Sequence, residues 1–213
     1  EKTILNSDLS LDDSQVGELI FANNKNIQHD DNLGYYKDLY VGYVKSKAYR
    51  KNGSSGGMVS WLAVRLIEEN LIDGFIHVKK SSTPGLVFEY GISRTAKDIK
   101  SGSKSRYYPA QLAEVLEQVK LNPGRYAVVG IPEIITELRL LAEVDQVIKS
   151  RIKFYFGLVA GHQKTTKYAE AIAWEFGVKP GTLKDIDFRV KRKTGKAIEY
   201  DMRFTGEVLG EER

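Results

Sequence analysis

"YAVVGIPEIITELRLL", residues 126–141, decides the class of fold. Its first five residues are nearly all apolar, the composition of a short strand covered on both faces. Pro132 follows where a first helical residue belongs, and Ile135, Leu138 and Leu141 fall on the inner side of the helix it opens. Downstream, residues 152–160 read as the next strand. Thr165 or Thr166 caps a helix carrying Tyr168, Ile172, Ala173 and Phe176. Upstream, Pro109 occupies a first helical position, with Leu112, Val115, Leu116 and Val119 at the spacing of a buried stripe, and Asn122-Pro123-Gly124 is a turn.

The same alternation occurs earlier in the chain. Residues 39–44 (LYVGYV) are aromatic and β-branched and predict a strand. Met58, Trp61, Leu62, Arg65, Leu66 and Glu69 trace a helix with one apolar and one charged face, stopping near Asn70. Residues 72–78 predict another strand, and residues 86–90 a short one after a serine-rich stretch with Pro84. Strand, crossover helix and strand make the unit of a parallel sheet. The tail, residues 186–208, alternates in the manner of antiparallel strands. The expected fold is α/β, a mostly parallel sheet with flanking helices and an antiparallel C-terminal addition. Residues 1–33, rich in Asp and Asn, are expected to form an N-terminal arm, extended or a short docked helix, and residues 34–213 the α/β domain.

Composition narrows the chemistry. At 213 residues the chain fits one domain with an appendage. No apolar run approaches the length of a membrane span, and the first residues, Glu1-Lys2-Thr3-Ile4-Leu5, lack the layout of a signal peptide, so the expected location is cytoplasmic. The 213 residues contain no cysteine, and their three histidines, His29, His77 and His162, have no metal-binding spacing, so no metal site built by this chain is expected. A net charge of +4 suits small anions and is too weak to imply nucleic acid. The densest basic run, residues 189–196, contains a Thr-Gly turn and reads as the exposed tip of a strand pair.

In open α/β sheets, ligands collect where strand ends lead into helix starts. Four such loops are visible: residues 50–57, 101–109, 130–133 and 157–166. The first, Asn52-Gly53-Ser54-Ser55-Gly56-Gly57, joins a predicted strand to a helix, where glycines let backbone amides turn toward an anion. It meets neither the dinucleotide nor the P-loop spacing, so a flexible linker and a phosphate cradle are both open on this evidence. The second offers Ser103, Lys104 and Tyr107, cation and hydroxyl for phosphate and a ring for stacking, or else a mobile basic loop. In the last, His162 and Lys164 can hydrogen-bond a cofactor, although a lone histidine is more often structural.

Four pieces in series resemble the beta subunit of coenzyme F420 hydrogenase/dehydrogenase. They are "GYVKSKAYRKNGSSGGMVSWLAVRLIEENLIDGFI", "GSKSRYYP", "YAVVGIPEIITELRLL" and "FYFGLVAGHQKTTKYAEAIAWEFGVKP", the last continuing into "DIDFRVK". The resemblance spans roughly residues 40–192. It implies a flavoprotein that binds FAD, moves hydride between the flavin and a deazaflavin or similar carrier, and works with partner subunits. By position it implies that residues 52–57 and 103–107 surround the FAD, with His162 and Lys164 nearby; no catalytic residue follows from it. The departures concern iron and sulfur. Where the family has Pro-Cys this chain has Pro132-Glu133, and where it has Leu-Phe-Cys-Gly this chain has Leu158-Val159-Ala160-Gly161. Neither Glu nor Ala can replace a thiolate ligand, and the first residues hold no cysteine-rich ferredoxin segment. The resemblance therefore implies a flavin-dependent oxidoreductase without an iron–sulfur cluster of its own in this chain. The competing reading is a non-catalytic scaffold subunit of a redox complex. A nucleic-acid role through residues 189–196 ranks last.

Overall fold

The structure, a computed structural model, describes residues 12–21, 25–160, 164–192 and 199–210. A four-stranded sheet forms its centre, in the order β4(Phe88–Ser93), β3(Gly74–Lys80), β5(Tyr126–Gly130), β6(Ile152–Gly157). The two parallel pairings both involve β5. The nearly all-apolar β5 is buried along its whole length and pairs parallel to β3 (Phe75 opposite Ala127) and to β6 (Val128 opposite Tyr155). The edge strand β4 runs antiparallel to β3, with His77 opposite Gly91. The sheet is thus mainly parallel, as the sequence predicts.

Each face of β3 and β5 carries its own core. Ile76, Tyr126 and Val128 pack with Val115 and Val119 of α5(Ala113–Leu121), Leu138 of α6(Pro132–Val144) and Ile148 of α7(Gln146–Arg151). Phe75, Ala127 and Val129 pack on the other face with Ala63 and Val64 of α3(Met58–Glu68) and Ile99 of α4(Ala96–Ser101). This alternation of side chains between faces is the period-two geometry of a strand, and it fixes the register. A third core joins Phe88 and Tyr108 to Ala169 of α8(Thr166–Glu175) and to Ile186 and Phe188 of β7(Asp185–Lys191). It anchors the antiparallel pair of β7 and β8(Tyr200–Thr205) to the side of the sheet. Within the N-terminal region, α1(Asp13–Phe21) lays Phe21 over the Arg139 guanidinium of α6, 4.7 Å from the ring centroid. β1(Gln28–Asp30) and β2(Gly34–Tyr36) form a small hairpin beside it.

Three expectations need correction. Residues 39–44 form no strand: Leu39, Tyr40, Val41 and Tyr43 stand exposed, and Val44 N–H donates to the Gly56 carbonyl at 3.4 Å instead of to a ladder. Their composition fits a pleated surface, but no strand among the described residues pairs with it. The short helix α2(Lys47–Asn52), not a strand, therefore leads into the glycine cluster, and the first parallel crossover links β3 to β5. Pro109 does not open a helix. Tyr108 sets its ring edge-on to Phe88 at 5.5 Å, and residues 109–112 cross from that core to the opposite face before α5 begins at Ala113. The strand predicted over residues 86–90 begins two residues later, at Phe88. Pro132 does open α6, and Thr165 stands at the N-cap of α8 without a side-chain capping bond. No helix among the described residues is long and apolar enough to cross a membrane.

Candidate functional site

A cavity of about 730 Å³ opens at the carboxyl ends of β3, β5 and β6, within the range of small-molecule sites and in its upper half. Its first wall is the glycine cluster. Gly57 is the N-cap of α3 in the left-handed region, φ 77° and ψ 8°, and a Cβ there would meet the Tyr49 carbonyl oxygen at 2.7 Å. Only glycine fits, so part of this cluster's composition is explained by close backbone approach. The cluster also leaves a run of amides without partners. Among the described residues, no protein acceptor receives the backbone N–H groups of residues 54–60, which span the cluster and the first turn of α3. Unmet donors at the positive end of a helix form an anion cradle.

The second wall is the loop after α4. Ser105 N–H donates to the Ser54 hydroxyl at 2.8 Å, which ties this loop to the glycine cluster. Lys104 is only half available to a ligand: its ammonium lies 3.1 Å from the Asp187 carboxylate and donates to the Arg189 carbonyl. Arg106 stands differently. One terminal nitrogen donates to the Ile186 carbonyl at 3.3 Å, the guanidinium lies over the Phe88 ring, and its buried Nε has no acceptor. Burial presses the Arg106 pKa below its ordinary value, while Asp185 and Asp187 oppose that shift. A guanidinium on a cavity wall suits an anionic ligand.

The hairpin supplies the third wall. Lys191 donates to the Ser55 carbonyl at 3.1 Å and to the Arg50 carbonyl, so β7 grips the glycine cluster as well as the 102–106 loop. Burial and the nearby Lys104, Arg50 and Arg189 charges lower the Lys191 pKa. Beyond these polar walls the floor is apolar, formed by Phe75, Val129, Ile131 and Ile134.

The residues singled out in the sequence largely converge here. Gly53, Ser54, Ser55, Gly56 and Gly57 line the cavity, as do Ser103, Lys104, Tyr107 and Lys164. Two of these are already engaged: Tyr107 sets its ring edge-on to Phe188 at 5.3 Å, and Lys164 lies over the Tyr168 ring at 4.9 Å. Asn52, exposed at the end of α2, is not among the lining residues, and His162 lies outside the described residues, as does the 193–196 part of the basic run. Sequence reasoning missed Arg189 and His77 as lining residues. Arg189 was visible only as part of a basic run, and His77 as a polar residue in an apolar strand. Among the described residues, no group of three or more His, Asp or Glu side chains could hold a metal ion.

Two family models match the chain in succession. The model for the N-terminal part of the coenzyme F420 hydrogenase/dehydrogenase beta subunit covers residues 39–117, and that for its C terminus covers residues 124–207. The chain belongs to the coenzyme F420 hydrogenase/dehydrogenase beta subunit family. Both cavity-lining loops and β7 fall within the matched ranges. Among solved structures it is similar to a chain of the F420-reducing NiFe hydrogenase complex from Methanosarcina barkeri, with a TM-score of 0.60 and 20% identity. That likeness concerns the fold; it covers 76% of this chain and 57% of the hydrogenase chain, so this sequence spans little more than half the length of that relative. No curated protein matches the chain.

Proposed function

We propose that the cavity binds FAD and that this beta-subunit chain exchanges hydride between the flavin and a deazaflavin or similar carrier. The observation that carries the reading is the run of amides at residues 54–60 without protein acceptors among the described residues, in a stretch that lines the same cavity as Arg106. Those donors suit a diphosphate, the apolar floor suits a flat ring system, and the volume of about 730 Å³ suits a dinucleotide rather than a single small anion. Bound flavin would supply a reversible two-electron hydride acceptor. The chain's own contribution is to hold the phosphates through the amides and Arg106, and to shield the ring end with Phe75, Val129 and Ile134.

Electrons leaving the flavin singly would need a cluster held elsewhere, because this sequence has no cysteine. Partner subunits fit that need, and the Methanosarcina barkeri relative is itself part of a complex. The absence of thiolates at Glu133 and Ala160 also favours a second reading, a scaffold subunit that keeps the fold without turnover. Incubation with FAD, removal of free flavin and anaerobic addition of reduced deazaflavin separates the two. A bound visible flavin band that bleaches with the carrier supports the oxidoreductase. A bound band that does not bleach supports the scaffold, and a colourless protein overturns the flavin site.

A further inference from the structure

His77 sits at the cavity with one nitrogen committed and one not. Its side chain, 5% exposed, shares a face of β3 with Phe75, ring centroids 5.1 Å apart, and lines the cavity. Nε2 lies 2.8 Å from the hydroxyl of Ser93, which is itself 1% exposed on β4. Gly102 packs closest to Cε1, between the two nitrogens: a Cβ there would come within 2.3 Å of Cε1 and 2.9 Å of Nδ1. A side chain at position 102 would therefore collide with the imidazole, and its absence lets the loop carrying Lys104 and Arg106 rest against His77. Among the described residues, Nδ1 has no hydrogen-bond partner.

The imidazole is neutral at ordinary pH. Burial, with the charges of Lys79 and Arg106, brings its pKa down to about 4, and Asp98 alone opposes them. A neutral imidazole has one donor and one acceptor nitrogen. The bond to Ser93 occupies Nε2 and orients the ring, leaving Nδ1 without a partner among the described residues in a residue that lines the cavity.

We propose that His77 is a ligand-contacting residue whose Nδ1 hydrogen-bonds the polar edge of the flavin ring, and that Ser93 is a positioning residue that holds the imidazole in that orientation. The inference rests on the flavin reading. It adds a neutral hydrogen-bonding group at the ring end to the charged groups at the phosphate end, and so it bears on discrimination between flavin rings.

The test uses the full chain, FAD and two readouts. In FAD titrations at neutral pH, His77→Leu binds roughly five- to tenfold more weakly than wild type, the worth of one lost hydrogen bond. Its bound flavin band is shifted, and His77→Asn, which keeps a polar atom near Nδ1, recovers most of the affinity. Ser93→Ala falls between wild type and His77→Leu. In parallel, the imidazole nitrogen resonances of wild-type protein are followed as FAD is added, a measurement that stands even if a variant does not fold. The His77 Nδ1 resonance moves and Nε2 does not. Unchanged affinity and spectrum in folded His77→Leu, or an Nδ1 resonance indifferent to bound FAD, overturns the role of His77 and leaves the flavin site standing. A wild-type protein that does not bind FAD overturns both.

Discussion

At Gly57 the backbone is left-handed and a side chain would run into the Tyr49 carbonyl at 2.7 Å. Gly57→Ala is therefore expected to cost about 1–3 kcal/mol in denaturant unfolding, since both φ and backbone contact oppose it. Gly34→Ala, also left-handed but with open space around it, is expected to cost less, and equal losses at the two positions would contradict the close-approach account. His77 gives a second residue-scale expectation. Its folded pKa of about 4 lies below the ordinary 6.5, so protons prefer the unfolded chain in between. Stability from this group is full above pH 6.5 and is lost as pH falls toward 4, by about 3 kcal/mol in all. Lys79 and Arg106 reinforce the shift and Asp98 weakens it. Unfolding of wild type and His77→Gln across pH 4–7 checks this: the variant shows the shallower decline. The residue scale is also where the sequence was least legible. A lone histidine in an apolar strand carries no spacing signal, and its partner Ser93 lies on another strand.

Among the elements, β7 holds the site together by reaching both loops. Lys191 bonds the glycine-cluster carbonyl of Ser55, Lys104 of the second loop pairs with Asp187, and Arg106 bonds the Ile186 carbonyl. The Lys104–Asp187 pair is mostly shielded, with side chains 20% and 11% exposed. Asp187→Ala is expected to cost about 2 kcal/mol, less than a fully buried pair because some solvent remains. Amide hydrogen exchange at residues 102–106 should accelerate with it, while β5 amides stay protected. Uniform acceleration would mean that the hairpin supports the whole fold rather than this loop. The elements themselves were largely legible, because β5, α3 and α6 follow local periodicity. The failures were non-local. Residues 39–44 have strand composition and, among the described residues, no strand to pair with, and the start of α5 was displaced by Tyr108 docking on a core that includes β7. That β7 grips the glycine cluster could not be read from a basic run whose partners lie more than a hundred residues away.

For the whole molecule, the mainly parallel sheet brings the strand ends, α3 and β7 to one cavity, so loops read separately in the sequence become walls of a single site. Convergence at strand ends was legible because it follows from the layered α/β architecture. The proposed division of labour is equally global: amides and Arg106 for phosphate, an apolar floor with His77 for the ring. The most direct measurement compares FAD with riboflavin, which has the same ring system and no phosphate, by equilibrium titration of the wild-type chain at fixed low salt. The account predicts that FAD binds at least tenfold more tightly and that this advantage shrinks as salt rises. Equal affinity for the two, or binding of neither, would contradict a phosphate cradle at residues 54–60.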